Sequence, residues 1–234
     1  MANTTHFSEA GLHQCHQVFA TSTSKLDVGG SLYNDFPYIH RAVVHISHEQ
    51  PSFLSWYRYF VHIFESRLRI SSPVFDTQLG FGGNGDYALR ESLVGGGHCV
   101  TSGPFAMTLA RYVGLEVKLH CVSRIFRNDT ATGHFTGQLI RPELVGKYVD
   151  EDDLLLFTLK LESAPYNTIL FGIRGNFLSF NAPADPLFFL HHAQLDRLRW
   201  KWQHMRPERR NSYSTRRSFK PDEMTSLNDM IEMG

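Results

Sequence analysis

The chain has 234 residues, with 23 Lys and Arg balanced by 23 Asp and Glu, 42% hydrophobic residues and 13 histidines. A neutral chain lacks the surplus of phosphate-neutralising cations that non-specific nucleic-acid binding needs, and this apolar content excludes disordered and fibrous classes. The length suits one domain with a sizeable core, while Cys15, Cys99 and Cys121 are too few for a disulfide scaffold and allow one bridge at most.

In chain order, the N-terminus has no basic segment followed by an apolar one, so no secretory signal is expected and the chain reads as cytoplasmic. On that reading the acceptor triplets Asn3-Thr4-Thr5 and Asn128-Asp129-Thr130 are chance matches. Asn34-Asp35 followed by Pro37 predicts an N-cap and first turn, with Ile39, Val43, Val44 and Ile46 on one face of a helix ending near His48. Leu54, Tyr57, Val61, Phe64 and Leu68 recur at three- and four-residue steps and predict a second helix over 53–68. Arg58, His62, Glu65 and Arg67 interrupt that apolar stretch, so no membrane span is expected. The glycine loops GFGGNGD at 80–86 and VGGGHC at 94–99 are expected to surround a site. Leu154 to Leu161 reads as a strand, and a third helix opens at Asp185-Pro186 and runs through Phe188, His192, Leu195, Leu198 and Trp202. From Arg206 to Lys220 six basic residues interleaved with serines read as a solvated, mobile loop.

The histidines fall on these helices. His40 and His48 are eight residues apart, a little over two turns, and share a face, with His45 a competitor for it. His191 and His192 are adjacent, so only one can face the core, and the stripe of Phe188, Leu195 and Leu198 selects His192. Neutral imidazoles converging from packed helices are a common way to build a metal site.

The segments YNDFPYIH (33–40), HEQPSFLSWYRYFVHIFE (48–65), SPVFD (72–76), CVTSGPF (99–105) and ADPLFFLHHAQLDRLRWKWQ (184–203), with the closing TSLNDMIEMG, resemble the tyrosinase and catechol oxidase family, above all its shorter fungal members. The resemblance implies a single domain over 1–234, mainly α, with an antiparallel four-helix bundle core, long Gly-rich loops and few short strands. It also implies two coppers, three histidines on each, that bind dioxygen and oxidise phenols or o-diphenols to quinones.

The resemblance fails at half of the ligand positions. His40, His48 and His192 match; Tyr57 stands nine residues after His48 where the family has histidine, and Tyr166 and Leu170 stand where it has the H-N-x-x-H pair. Asn167 of that block is retained, leaving Asn167, Tyr57 and Tyr166 as candidates for catalytic work. After Glu65 about a score of family residues are missing, and the N-terminal part of the fold is shortened, a pattern that an incorrectly spliced gene would also produce. A phenolate is a hard anionic donor that favours Cu(II), and neither Leu170 nor Tyr166 replaces a chelating imidazole pair. The expectation is zero or one weakly bound copper rather than two, with oxidase activity lost or residual. Two alternatives stay open: a copper-independent enzyme acting on a small phenolic molecule, and a non-catalytic partner of an active paralogue. Asp196, Arg197 and Glu65 are expected in buried ion pairs between helices, and Phe188 and Phe189 in the core.

Overall fold

The computed structural model describes residues 23–48, 50, 52–68, 82–89, 92, 94–103, 105–127, 140–212, 216–217 and 220–224. Six α-helices dominate these residues: α1 (Leu32–Ser47), α2 (Phe53–Leu68), α3 (Pro142–Val149), α4 (Leu154–Leu161), α5 (Asn167–Ile173) and α6 (Leu187–Met205). Three two-stranded antiparallel ribbons accompany them: β1 (His98–Cys99) with β4 (Ser123–Arg124), β2 (Leu109–Val113) with β3 (Glu116–Cys121), and β5 (Arg216–Arg217) with β6 (Lys220–Met224). None of the described helices is long and apolar enough to cross a membrane. Cys15, both acceptor triplets, most of the shortened stretch after Glu65 and the TSLNDMIEMG close lie outside the described residues.

Helix α1 opens three residues earlier than Asn34-Asp35 suggested. Ser31 precedes it, and both the amide and the hydroxyl of Ser31 donate to Asn34 Oδ1 at 2.9 Å, so Asn34 acts from inside the first turn and Pro37 sits within the helix. Helix α2 packs against α6 through an aromatic core in which Trp56, Phe53, Phe188 and Trp202 are fully buried. Phe189 lies flat against Phe64, with ring centres 3.4 Å apart.

The stretch read as a strand, Leu154 to Leu161, is helix α4. Asp153 accepts the Leu156 amide at 2.8 Å as an N-cap, and Leu154, Phe157, Thr158 and Leu161 are buried at helical spacing. After it comes one turn of π-helix, Glu162–Tyr166, with Pro165 inside, and then α5. Proline lacks the amide that an α-helical ladder would use, and π turns cluster at functional sites.

The glycine loops do not surround the cavity described below. They allow backbones to approach: a Cβ on Gly85 would lie 2.2 Å from the His98 carbonyl, and one on Gly95 (φ 63°) 2.2 Å from the Gly175 carbonyl. Arg124 and Asp185, both fully buried, form a bidentate pair at 2.7 and 2.8 Å that ties β4 to the start of α6. The basic stretch is not simply a solvated loop. Arg209 is buried, donates to the carbonyls of Val149 and Asp150, and lies 5.1 Å over the Trp202 ring; beyond it β5 and β6 pair.

Candidate functional site

His40 on α1, His48 at its C-terminal cap and Tyr57 on α2 meet between the two helices. The Tyr57 hydroxyl lies 2.6 Å from His40 Nε2 and 2.6 Å from His48 Nε2. The proton positions follow from what each partner can do. His40 Nδ1 lies 2.7 Å from the Phe180 carbonyl, which can only accept, so Nδ1 carries a proton. Burial, helped by His48, holds His40 neutral with its pKa down at about 3, so its Nε2 is a bare lone pair. The Tyr57 hydroxyl therefore donates to His40, and its oxygen accepts the Nε2 proton of His48. Burial raises the Tyr57 pKa well above 10, which keeps the phenol protonated. His48 Nδ1 in turn faces Glu162 Oε1 at 3.4 Å. Glu162, His48, Tyr57 and His40 thus stand in one line.

The second group is different. His192 is buried, and its ring lies 3.7 Å from that of Tyr57 at an angle of 21°. Neither of its nitrogens has a hydrogen-bond partner among the described residues. Burial, reinforced by His191, His40 and His48, drives its pKa well below 6.5, so it is a neutral imidazole held by stacking. His192 is the inward member of the pair as expected, but the buried Nε2 of His191 also lacks a partner, and burial lowers the His191 pKa to about 3. The Tyr166 ring stacks on His191 at 5.4 Å and also approaches His48 at 5.7 Å. Leu170 is one turn further along α5.

Tyr166, Asn167 and Leu170 line a cavity of about 1030 Å3 together with His40, His48 and Glu162. Val44, Leu155 and Leu159 supply an aliphatic wall, and His45 is exposed at its rim rather than joining the inner face. Of the positions singled out in the sequence, His40, His48, Tyr166, Asn167 and Leu170 line the cavity, whereas Tyr57 and His192, stacked on each other, do not. Glu162 and the Phe180 carbonyl were missed. The spacing of Glu162 from Tyr166, one helical turn before the Tyr-Asn pair, was the available signal, and it was obscured by reading 154–161 as a strand. Asp196 pairs with Arg58 across α2 and α6, but both are partly exposed, Arg197 bonds Gln194, and Glu65 is exposed, so the expected buried ion pairs are surface contacts.

The residues do not fit a two-copper centre. A metal between His40 and His48 would have to displace the hydroxyl that both nitrogens already bond, and that hydroxyl would have to lose a strongly held proton to become a ligand. Among the described residues, no group of three or more His, Cys, Asp or Glu is placed to hold a metal ion.

The sequence model described as the common central domain of tyrosinase matches residues 10–205. Tyrosinase ustQ from Aspergillus flavus is 32% identical over 92% of this chain and 66% of its own length. Tyrosinase-like protein phomQ1 from Diaporthe leptostromiformis is 36% identical over 76% of this chain and 54% of its own. The chain therefore spans about half to two thirds of the length of these relatives. A mutant polyphenol oxidase from Thermothelomyces thermophila superposes with a TM-score of 0.67 over 87% of this chain and 71% of that one, at 21% identity, a likeness of fold alone.

Proposed function

The chain belongs to the tyrosinase family, and from that premise we propose that it is a member whose dinuclear copper oxidase chemistry is lost or residual, with one weakly held copper at most. The observation that carries this reading is the Tyr57 hydroxyl, 2.6 Å from both His40 Nε2 and His48 Nε2, where a family member has a third imidazole. Neutral imidazoles serve both oxidation states of copper; a buried, protonated phenol serves neither. Leu170 offers no donor atom, and His192 alone makes no chelate. Losing even a residue that only orients a ligand costs about 10- to 100-fold in metal affinity or activity, so the loss of three ligands is decisive.

The test is metal analysis of the chain produced with copper in excess, together with dioxygen-dependent oxidation of catechol. The expected result is one copper per chain or fewer and no sustained quinone formation. Near two coppers per chain with a catechol-to-quinone rate would overturn the reading.

The cavity favours a second reading, a copper-independent acid–base enzyme acting on a small phenolic molecule. Glu162 and His48, 3.4 Å apart, line a cavity that Val44, Leu155, Leu159 and Asn167 also line. Glu162 and His48 would hand a proton to the bound molecule, Asn167 would orient it, and Tyr57 with His40 would keep His48 in one tautomer. Turnover that survives exhaustive chelation and is lost in Glu162→Gln supports this reading; turnover that tracks copper content counts against it.

A further inference from the structure

The part of the fold formed by 82–127 buries Val94, Phe105, Tyr112 and Ile125 outside a small aliphatic cluster. Its buried cluster comprises Val100, Ala110 and Val122, with Ala184 from outside the segment. Its ribbons, β1 with β4 and β2 with β3, are two strands wide, a size that is marginal without other support. Its buried polar side chains, Ser123, Arg124 and His120, need a fixed backbone to keep their partners. The covalent connection within it is the disulfide between Cys99 at the end of β1 and Cys121 at the end of β3, with Cα atoms 5.4 Å apart and 22 residues between them in sequence. Directly after Cys121, β4 leads to the amides of Ile125 and Arg127, which donate to the carbonyls of Ile173 and Gly172 at the end of α5. The segment held by the disulfide is therefore the rest on which the helix bearing Asn167 and Leu170 ends.

We propose that the Cys99–Cys121 bond is a structural staple of this protein in the cell, and that the chain accordingly matures in an oxidising compartment rather than in the reducing cytosol that its N-terminal sequence suggested. Disulfides of this kind persist where thiols are not kept reduced. In forming the bond, the two thiols give up two protons and two electrons to the disulfide of a thiol-exchange protein, which leaves as a dithiol. The proposal stands independently of the copper reading, since neither cysteine touches the cavity. Its consequence for the acceptor triplets is that Asn3 and Asn128 would meet the glycosylation machinery.

The test is differential alkylation of the full-length chain in the cells that make it. Thiols are blocked by one label during acid quenching, disulfides are then reduced, and a second label is added before peptide mass analysis. Cys99 and Cys121 are expected to carry the second label, and the chain to fractionate with secretory-route markers. First label on both residues, pairing of either with Cys15, or fractionation with cytosolic markers would overturn the proposal. No variant is needed, so a failure to fold cannot obscure the outcome.

Discussion

The two halves of the site satisfy their histidines in opposite ways. Around His40 and His48 the substituted residue closes the gap, because the Tyr57 hydroxyl gives one imidazole a donor and the other an acceptor. Around His192, both ring nitrogens are buried without a partner among the described residues, and Leu170 faces the cavity with carbon. The difference teaches that a buried imidazole is satisfied when a neighbour carries a polar atom of suitable reach, and is otherwise held only by stacking and burial.

Rebuilding both halves gives the largest expected effect. Tyr57→His, Tyr166→His and Leu170→His in one chain are expected to raise copper content clearly above that of the parent, read by metal analysis; no gain would mean that the helices no longer hold the ligand positions in register. Tyr57→Phe keeps the ring and removes the hydroxyl, stranding two buried nitrogens. The expected cost is about 3 kcal/mol, a fall of roughly 10 °C in melting temperature for a chain of this size, and an unchanged melting temperature would show that the bonds to His40 and His48 contribute nothing.

Acid reports on both halves at once. His40 and His191 have folded pKa values of about 3 against an ordinary value of 6.5, so below pH 6.5 the unfolded chain takes up protons that the folded chain refuses. Stability is fully present above pH 6.5 and is lost progressively as pH falls towards 3, by about 2 kcal/mol per histidine at pH 5. Denaturant melts at several pH values should show that slope, and a flat profile from 6.5 to 5 would exclude neutral buried imidazoles. The smallest effect is expected in the second half, where His192→Leu replaces an unsatisfied ring with an apolar chain. Its stability should stay within about 1 kcal/mol of the parent, whereas a large loss would reveal a partner for His192 in solution.

The sequence carried much of this arrangement, and its gaps have physical causes. The eight-residue spacing put His40 and His48 on one face of a helix with a clear apolar stripe, and the family resemblance added Tyr57 to them. LLLFTLKL was misread because Leu155 and Leu159 line the cavity and Leu156 is exposed, so leucines fall outside the buried stripe and hide its helical period. Asp153 before it was the cap that could have decided the matter. The glycines promised a site, but their function is close backbone contact with His98 and Gly175, which a single sequence does not separate from ligand contact. The Phe180 carbonyl was out of reach, since a main-chain acceptor leaves no mark on residue type.

The π turn at Glu162–Tyr166 makes the cavity wall depend on a count. Such a turn has one residue more than an α-helical turn, and each residue advances a helix by about 100°. Deleting Ala164 would restore a regular helix and swing Tyr166, Asn167 and Leu170 by roughly that angle away from His48 and the cavity, with each of those residues still present. Composition here is tolerant, as the lost histidines show; phase is not, and a one-residue deletion in this turn should undo more of the site than a substitution at any one of its positions.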